Sequence, residues 1–272
     1  MSSTYVIKSD GTKEVYNEDK IIGSANRVGV PKELQDQMLQ AIRSRLYDGI
    51  QTSEIFALIQ EFLNGHESGH LAMKFNLKKA LAELGPSGYP FEKYLSLLFR
   101  ELGYTTETNQ TLNGSCVTHE IDVLAQKDDN TYFIEAKFHK NTTQRTDVRV
   151  TLYIKARFDD LVKGNNYSNP QAWIITNTRF STDAIKYAQC QKLRLTSWAY
   201  PKDQGLVDLI EHTRLFPITM VGEFSLQDKI RLLNSGVVTC RQLLDPRHLD
   251  LIPQELRANL FAKLERICAF SA

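Results

Sequence analysis

Between Phe91 and Trp198 the apolar residues switch repeatedly between helical and strand-like periods, and this stretch limits the architecture more than any other part of the chain. A helical pattern covers Phe91 to Leu102. Strand-like runs follow near Tyr104 to Thr111, Cys116 to Ala125 and Thr131 to Phe138. Beyond them come a helix from Asp147 to Val162, a strand from Ala172 to Thr176, a helix from Thr182 to Cys190 and a short strand from Leu193 to Trp198. The order αβββαβαβ predicts a mixed α/β core.

Helix-breaking residues bound this core: Gly85-Pro86-Ser87-Gly88-Tyr89-Pro90 on one side and Tyr200 to Gly205 on the other. The expected chain is therefore a multidomain α+β/α/β protein divided into residues 1–88, 89–205 and 206–272. In the first segment Thr4 to Ile7 and Lys13 to Tyr16 read as a hairpin turning on Ser9-Asp10-Gly11-Thr12. Helices follow over Glu18 to Val28 with Asn17 as cap, from Pro31 to Tyr47, over Glu54 to Asn64 with Thr52 or Ser53 as cap, and over His70 to Leu84. The last segment reads as helices from Leu226 to Leu233 capped by Ser225, from Thr239 to Leu244 beyond a break at Gly236, and from Pro253 to Ala269.

With 42% hydrophobic and 24% charged residues the chain can bury a core, which excludes disorder as its main character. Its net charge of +1 gives no bulk attraction to nucleic acid, so any basic surface is local. The run Lys137, Lys140, Arg145, Arg149, Lys155, Arg157 and Lys163, against Asp147, Asp159 and Asp160, is such a surface: a solvated helix face or one that meets phosphates. Lys8 and Asp10 stand where a signal peptide would need apolar residues, and no apolar run reaches the roughly 18 residues of a membrane span. Cys116, Cys190, Cys240 and Cys268 lie far apart with no Cys-x-x-Cys pair, so reduced thiols in a cytoplasmic protein are expected.

Chemistry concentrates in Glu120-Ile121-Asp122-Val123 and, beyond a turn at Asp128-Asp129-Asn130, in Phe133-Ile134-Glu135-Ala136-Lys137. Residues two apart on a strand share a face, so Glu135 and Lys137 point one way and a hairpin brings Asp122 alongside. Two carboxylates suit a hard divalent cation, and a neighbouring lysine can steady an attacking water, which together amount to phosphodiester hydrolysis. The alternative is a solvated strand acid beside an ordinary ion pair. Together with Phe91-Glu92, Leu102-Gly103-Tyr104, Ile174-Ile175-Thr176-Asn177-Thr178-Arg179-Phe180-Ser181, Ala184 and Tyr187-Ala188, these residues make Tyr89 to Pro201 resemble the Mrr-like restriction endonucleases of the PD-(D/E)xK superfamily. The resemblance implies a restriction-endonuclease-like αβββαβ core, with Asp122 and Glu135 as ligands of Mg²⁺ or Mn²⁺, Lys137 as catalytic lysine and Glu92 as an accessory acid. Thr118-His119-Glu120 departs from the glycine-rich approach common in that family, and His119 is expected to be structural.

Val6-Ile7-Lys8-Ser9-Asp10-Gly11 with Glu14, Asn17 and Lys20-Ile21, followed by Tyr47-Asp48-Gly49-Ile50-Gln51-Thr52-Ser53-Glu54-Ile55, resembles the ATP-cone, a helical module that binds ATP or dATP. By that resemblance Lys8, Lys20 and Lys79 meet the triphosphate, while Glu14, Asn17 and Thr52 help hold the nucleotide. Ser9 and Phe56 depart from the reductase pattern of that module. No P-loop is present, so nucleotide hydrolysis is not expected. Ser225 to Thr239 is similar to half of a helix-hairpin-helix element, with plain packing as the alternative. The function expected is a metal-dependent DNA endonuclease regulated by an adenine nucleotide. Its alternative is a catalytically silent, nucleotide-sensing DNA-binding regulator. DNA and the nucleotide are the partners implied, with room for a homo-oligomer and none for a membrane.

Overall fold

The computed structural model describes residues 4–8, 11–66, 69–85 and 87–269. The chain divides into two compact units, one ending at Leu77 and the other beginning at Lys78.

In the first unit β1 (Tyr5–Ile7) pairs antiparallel with β2 (Lys13–Val15). Gly11, at φ 80°, lies in the connection; Ser9 and Asp10 of the expected turn fall outside the described residues. Helices α1 (Glu18–Val28) and α2 (Lys32–Arg43) follow, and Asn17 caps α1 by accepting from the Asp19 N–H at 2.7 Å. The unit is less purely helical than expected, because β3 (Ile50–Gln51) adds parallel to β1 in the order β2-β1-β3. Asp48 accepts from the Tyr5 N–H at 2.8 Å, and Gly49, at φ 84°, turns Ile50 into the ladder. Helix α3 (Thr52–Asn64) starts earlier than expected, with Gln51 rather than Thr52 or Ser53 at the N-cap position, where its N–H donates to Glu54 at 3.4 Å. The span expected as one helix to Leu84 breaks at Asn76 into α4 (Gly69–Phe75) and α5 (Leu77–Ala82). The core gathers Val6, Ile21, Ala25, Met38, Ile42, Ile50, Ile59 and Leu63.

The second unit is built on α6 (Tyr89–Glu101), β4 (Thr105–Asn113), β5 (Thr118–Lys127), β6 (Asn130–Lys137), β7 (Arg145–Thr146), α7 (Val148–Gly164), β8 (Pro170–Thr176), β9 (Arg179–Phe180), α8 (Thr182–Cys190) and β10 (Arg194–Thr196). The main sheet runs β10-β8-β6-β5-β4, antiparallel from β4 to β6 and parallel from β6 to β10. The short β7 and β9 form a separate parallel pair not expected from the sequence. Side-chain alternation sorts the two faces. Trp173 of β8 meets Phe99 of α6 at 4.8 Å, while Phe133 of β6 meets Phe158 of α7 at 6.0 Å. Glu135 and Lys137 follow Phe133 at intervals of two and so belong to the α7 side of β6.

Residues 206–269 pack into this same unit. Helix α9 (Leu206–Thr213) has no counterpart in the expected scheme; α10 (Leu226–Asn234) is capped by Ser225, and α11 (Arg257–Cys268) closes the described chain. The buried Tyr94 hydroxyl of α6 donates to the Leu215 carbonyl at 2.6 Å, Thr219 donates to the Ala80 carbonyl at 2.5 Å, and Arg241 pairs with Glu101 at 2.7 Å. The expected helix from Thr239 is a 3-10 turn at Arg241–Leu244, since the Gln242 side chain takes the Val238 and Thr239 N–H groups. Gly236 turns at φ 78°, and the space a side chain would fill there holds the Lys93 ammonium. No helix of the described residues is long and apolar enough to cross a membrane.

Candidate functional site

The β5–β6 ladder stops at the pair Val123↔Ile134, and from there the strands part. Asp122 stands at the mouth of this fork. Its Oδ2 accepts from the Ala136 N–H at 2.7 Å, a donor that the ended ladder no longer employs. Glu135 stands on the opposite prong, 16% exposed, with Oε2 3.0 Å from Arg157 of α7, itself 13% exposed. Both partners are partly shielded from solvent, so removing one would leave the other charge poorly compensated. Glu92, in the first turn of α6, completes the group.

The electrostatics show how close these acids are. Burial, then Asp122, then Glu135 push the Glu92 carboxyl up to about 7. Burial and then Glu135 raise Asp122 to about 6 against the opposing pull of the Ala136 N–H, Arg157 and Lys137. The three carboxylates therefore sit in one another's field, an arrangement that a divalent cation would relieve. Among the described residues no group of three or more His, Cys, Asp or Glu side chains is placed to enclose a metal by itself. Mg²⁺ commonly takes one or two carboxylates and completes its shell with water and phosphate oxygens, so the donor set of Asp122 and Glu135 fits it.

A cleft of about 400 Å³ opens beside Glu135 and Lys137, walled by His139, Gln144, Arg145, Arg149 and Tyr153. The chain leaving Lys137 is clamped there by Asn177, which accepts from the His139 N–H at 2.8 Å and donates to the His139 carbonyl at 2.7 Å. Much of the basic run is already neutralised: Arg149 by Asp147, Lys155 by Asp159 and Arg157 by Glu135. Lys137, Lys140, Arg145 and Lys163 make no ion pair among the described residues. His119 lies away from the fork's acids, bound to Asp160 at 2.8 Å. That contact and the Cys116 and Val117 N–H groups hold the Asp160 carboxyl down to about 2.

The first unit contains a cavity of about 200 Å³. Lys8, Glu14, Asn17, Lys20 and Thr52 line it together with Ile21, Ile55, Phe56, Ile59 and Phe75. Glu14 forms ion pairs with both Lys8 and Lys20. Lys79 is not among these lining residues and belongs to the second unit, 3.8 Å from Glu83. The residue that sequence reasoning passed over is Arg157, read there as one charge in a basic run. Its signal was its position between Ile154 and Leu161, inside the apolar stripe of α7.

Residues 85–200 match the restriction endonuclease family model Mrr_cat. An uncharacterized protein of Archaeoglobus fulgidus is 40% identical over 149 residues, covering 55% of this chain and 83% of that one. A crystal structure of a protein of unknown function, AF1548, superimposes with a TM-score of 0.56 at 33% identity, covering 67% of this chain and 98% of the other. Can2 from Sulfobacillus thermosulfidooxidans, in complex with cyclic tetra-adenylate, reaches a TM-score of only 0.34 at 14% identity over 69% of this chain and 60% of its own, too little to indicate a shared fold. With a five-stranded sheet whose middle strands part around Asp122 and Glu135, residues 85–200 form a restriction-endonuclease-like domain, and the chain belongs to the family of the Archaeoglobus fulgidus protein.

Proposed function

We propose that the second unit is a metal-dependent DNA endonuclease and that the first binds ATP or dATP as an effector without hydrolysing it. The observation that carries the nuclease reading is the convergence of Glu92, Asp122 and Glu135 at the parting of β5 and β6, with Lys137 on the adjoining cleft wall. Asp122 and Glu135 would hold Mg²⁺ or Mn²⁺. A cation bound there would supply charge neutralisation at a scissile phosphate and a more acidic water. Lys137 would orient the attacking water and offset negative charge as it develops. Glu92, with its carboxyl pushed up to about 7, would accept or return protons at the edge of the site. Arg145 and Lys140 would meet the phosphates of the strand entering the cleft.

The nucleotide reading is supported by the cavity of the first unit, where apolar walls suit a purine and Lys8 and Lys20 suit its phosphates. One observation favours the alternative of a silent DNA-binding regulator: Arg157 already gives Glu135 a positive partner without any metal. The deciding assay incubates purified protein with DNA and RNA, with Mg²⁺, Mn²⁺ or chelator, and with ATP, dATP or neither. Cleavage of DNA that needs a metal and changes in rate with nucleotide is expected. DNA binding without cleavage in every metal would establish the regulator instead.

A further inference from the structure

The fork leaves a mechanical problem. Asp122 is fixed by the Ala136 N–H, whereas Glu135, beyond the last β5–β6 pair, is held in backbone by Ile174 of β8 but has a side chain with several rotatable bonds. Arg157 addresses this from α7. Its Nη1 donates to the Glu120 carbonyl at 2.7 Å and lies 3.0 Å from Glu135 Oε2, so one guanidinium touches both prongs. Glu120 is two residues from Asp122 on the same strand, and β6 offers its carbonyl no N–H because the ladder has ended. The Tyr153 ring, one turn earlier on α7, lies 4.9 Å from the guanidinium and limits its swing. Both contacts run through one nitrogen, and the planar guanidinium holds that nitrogen between the carbonyl and the carboxylate more firmly than an ammonium on a flexible stem would.

We propose that Arg157 is a positioning residue that sets the separation of the two metal ligands: by tying the Glu135 side chain to the strand of Asp122 it turns one fixed and one mobile acid into a preformed pair for a divalent cation. This rests on the metal-site reading above. Arg157 acts through Glu135 and need not touch substrate. Groups that orient a ligand in this way typically change metal affinity by about 10–100-fold when removed.

The test measures Mn²⁺ binding to the full chain without nucleic acid, by loss of the free-ion paramagnetic resonance signal. Thermal melting in chelator reports whether each variant is folded. Arg157→Gln is expected to weaken Mn²⁺ about 10–100-fold. Arg157→Lys keeps the charge but loses the planar, pre-organised head group, so it should also weaken binding, by roughly tenfold, and it carries the test if the glutamine variant does not fold. Glu135→Ala should bind least. Mn²⁺ binding by Arg157→Gln that equals or exceeds wild type, with Glu135→Ala still defective, would make Arg157 a competitor of the metal and sink the positioning role alone. Wild-type binding by Glu135→Ala would instead overturn the metal site, and this inference with it.

Discussion

The two candidate sites treat charge in opposite ways. In the first unit a single carboxylate, Glu14, serves two lysines, leaving the cavity one positive charge in excess among these three groups. In the second, Glu92, Asp122 and Glu135 outnumber the cations at the fork, and the raised pKa values of Glu92 and Asp122 record the strain of keeping them there. Surplus cations suit a polyphosphate and surplus carboxylates suit a metal, which is the contrast the proposed function rests on. The sharpest way to break this contrast is to remove charge from each side separately. Lys137→Ala and Asp122→Ala should each lower DNA cleavage by about 10²–10⁴-fold while leaving the fold and most DNA affinity in place. Undiminished cleavage by both variants would reject the assignment of the fork.

A smaller effect is expected in the first unit. Lys8→Ala and Lys20→Ala should each weaken ATP or dATP binding by about 10–100-fold, as for loss of a charge-assisted contact. Lys79→Ala should leave it unchanged. Calorimetry on the full chain checks this, as does the rise in melting temperature with nucleotide. Equal nucleotide affinity in all three variants would leave the cavity without a phosphate role and blur the contrast between the sites. A third experiment asks whether the sites communicate. Saturating ATP or dATP should change DNA affinity by roughly 5–150-fold, and DNA should change nucleotide affinity by the same factor. Identical affinities with and without nucleotide would leave two activities that merely share a chain.

What could be read in the sequence was set by period and punctuation. Strand alternation and a short turn are enough to place Glu135 beside Lys137 and near Asp122, because a two-residue repeat leaves no other choice of face. Asn17 and Ser225 show as caps because a side-chain acceptor before a helix has few other uses. Long-range packing is where the reading fails. Lys79 looked like part of the first segment, but α5 carries the buried Ala80 and Leu81 and its Ala80 carbonyl is bonded to Thr219, so the second unit claims it. The two-residue β3 is too short to show a period, and its only cue was Asp48-Gly49, whose partner Tyr5 lies 43 positions earlier. Arg157 was hidden because an arginine on a helix reads as solvated until an acid appears opposite it, and Glu135 reaches it only through the packing of α7 on the sheet.

The smallest effect concerns pH, and it distinguishes the fork from the rest of the molecule. Glu92 at about 7 and Asp122 at about 6 hold protons more tightly in the folded chain than unfolded carboxylates do. Their contribution to stability is therefore fully present below the ordinary carboxylate range and is lost as pH rises through 6 to 7. His139 works against this. Burial and then Lys137 lower its pKa, so the folded chain binds fewer protons there and gains stability as pH rises past the ordinary histidine value. Asp160 and Asp245, both held near 2, change stability only in acid and leave the window clear. The fork is isolated by difference: between pH 5 and 8 in chelator, Glu92→Gln should lose less melting temperature than wild type, by on the order of a few degrees. Saturating Mn²⁺ should reverse the trend, because the metal binds the deprotonated acids and its stabilising effect grows with pH. Parallel melting profiles for wild type and Glu92→Gln, with and without Mn²⁺, would mean that the acids of the fork do not share one field.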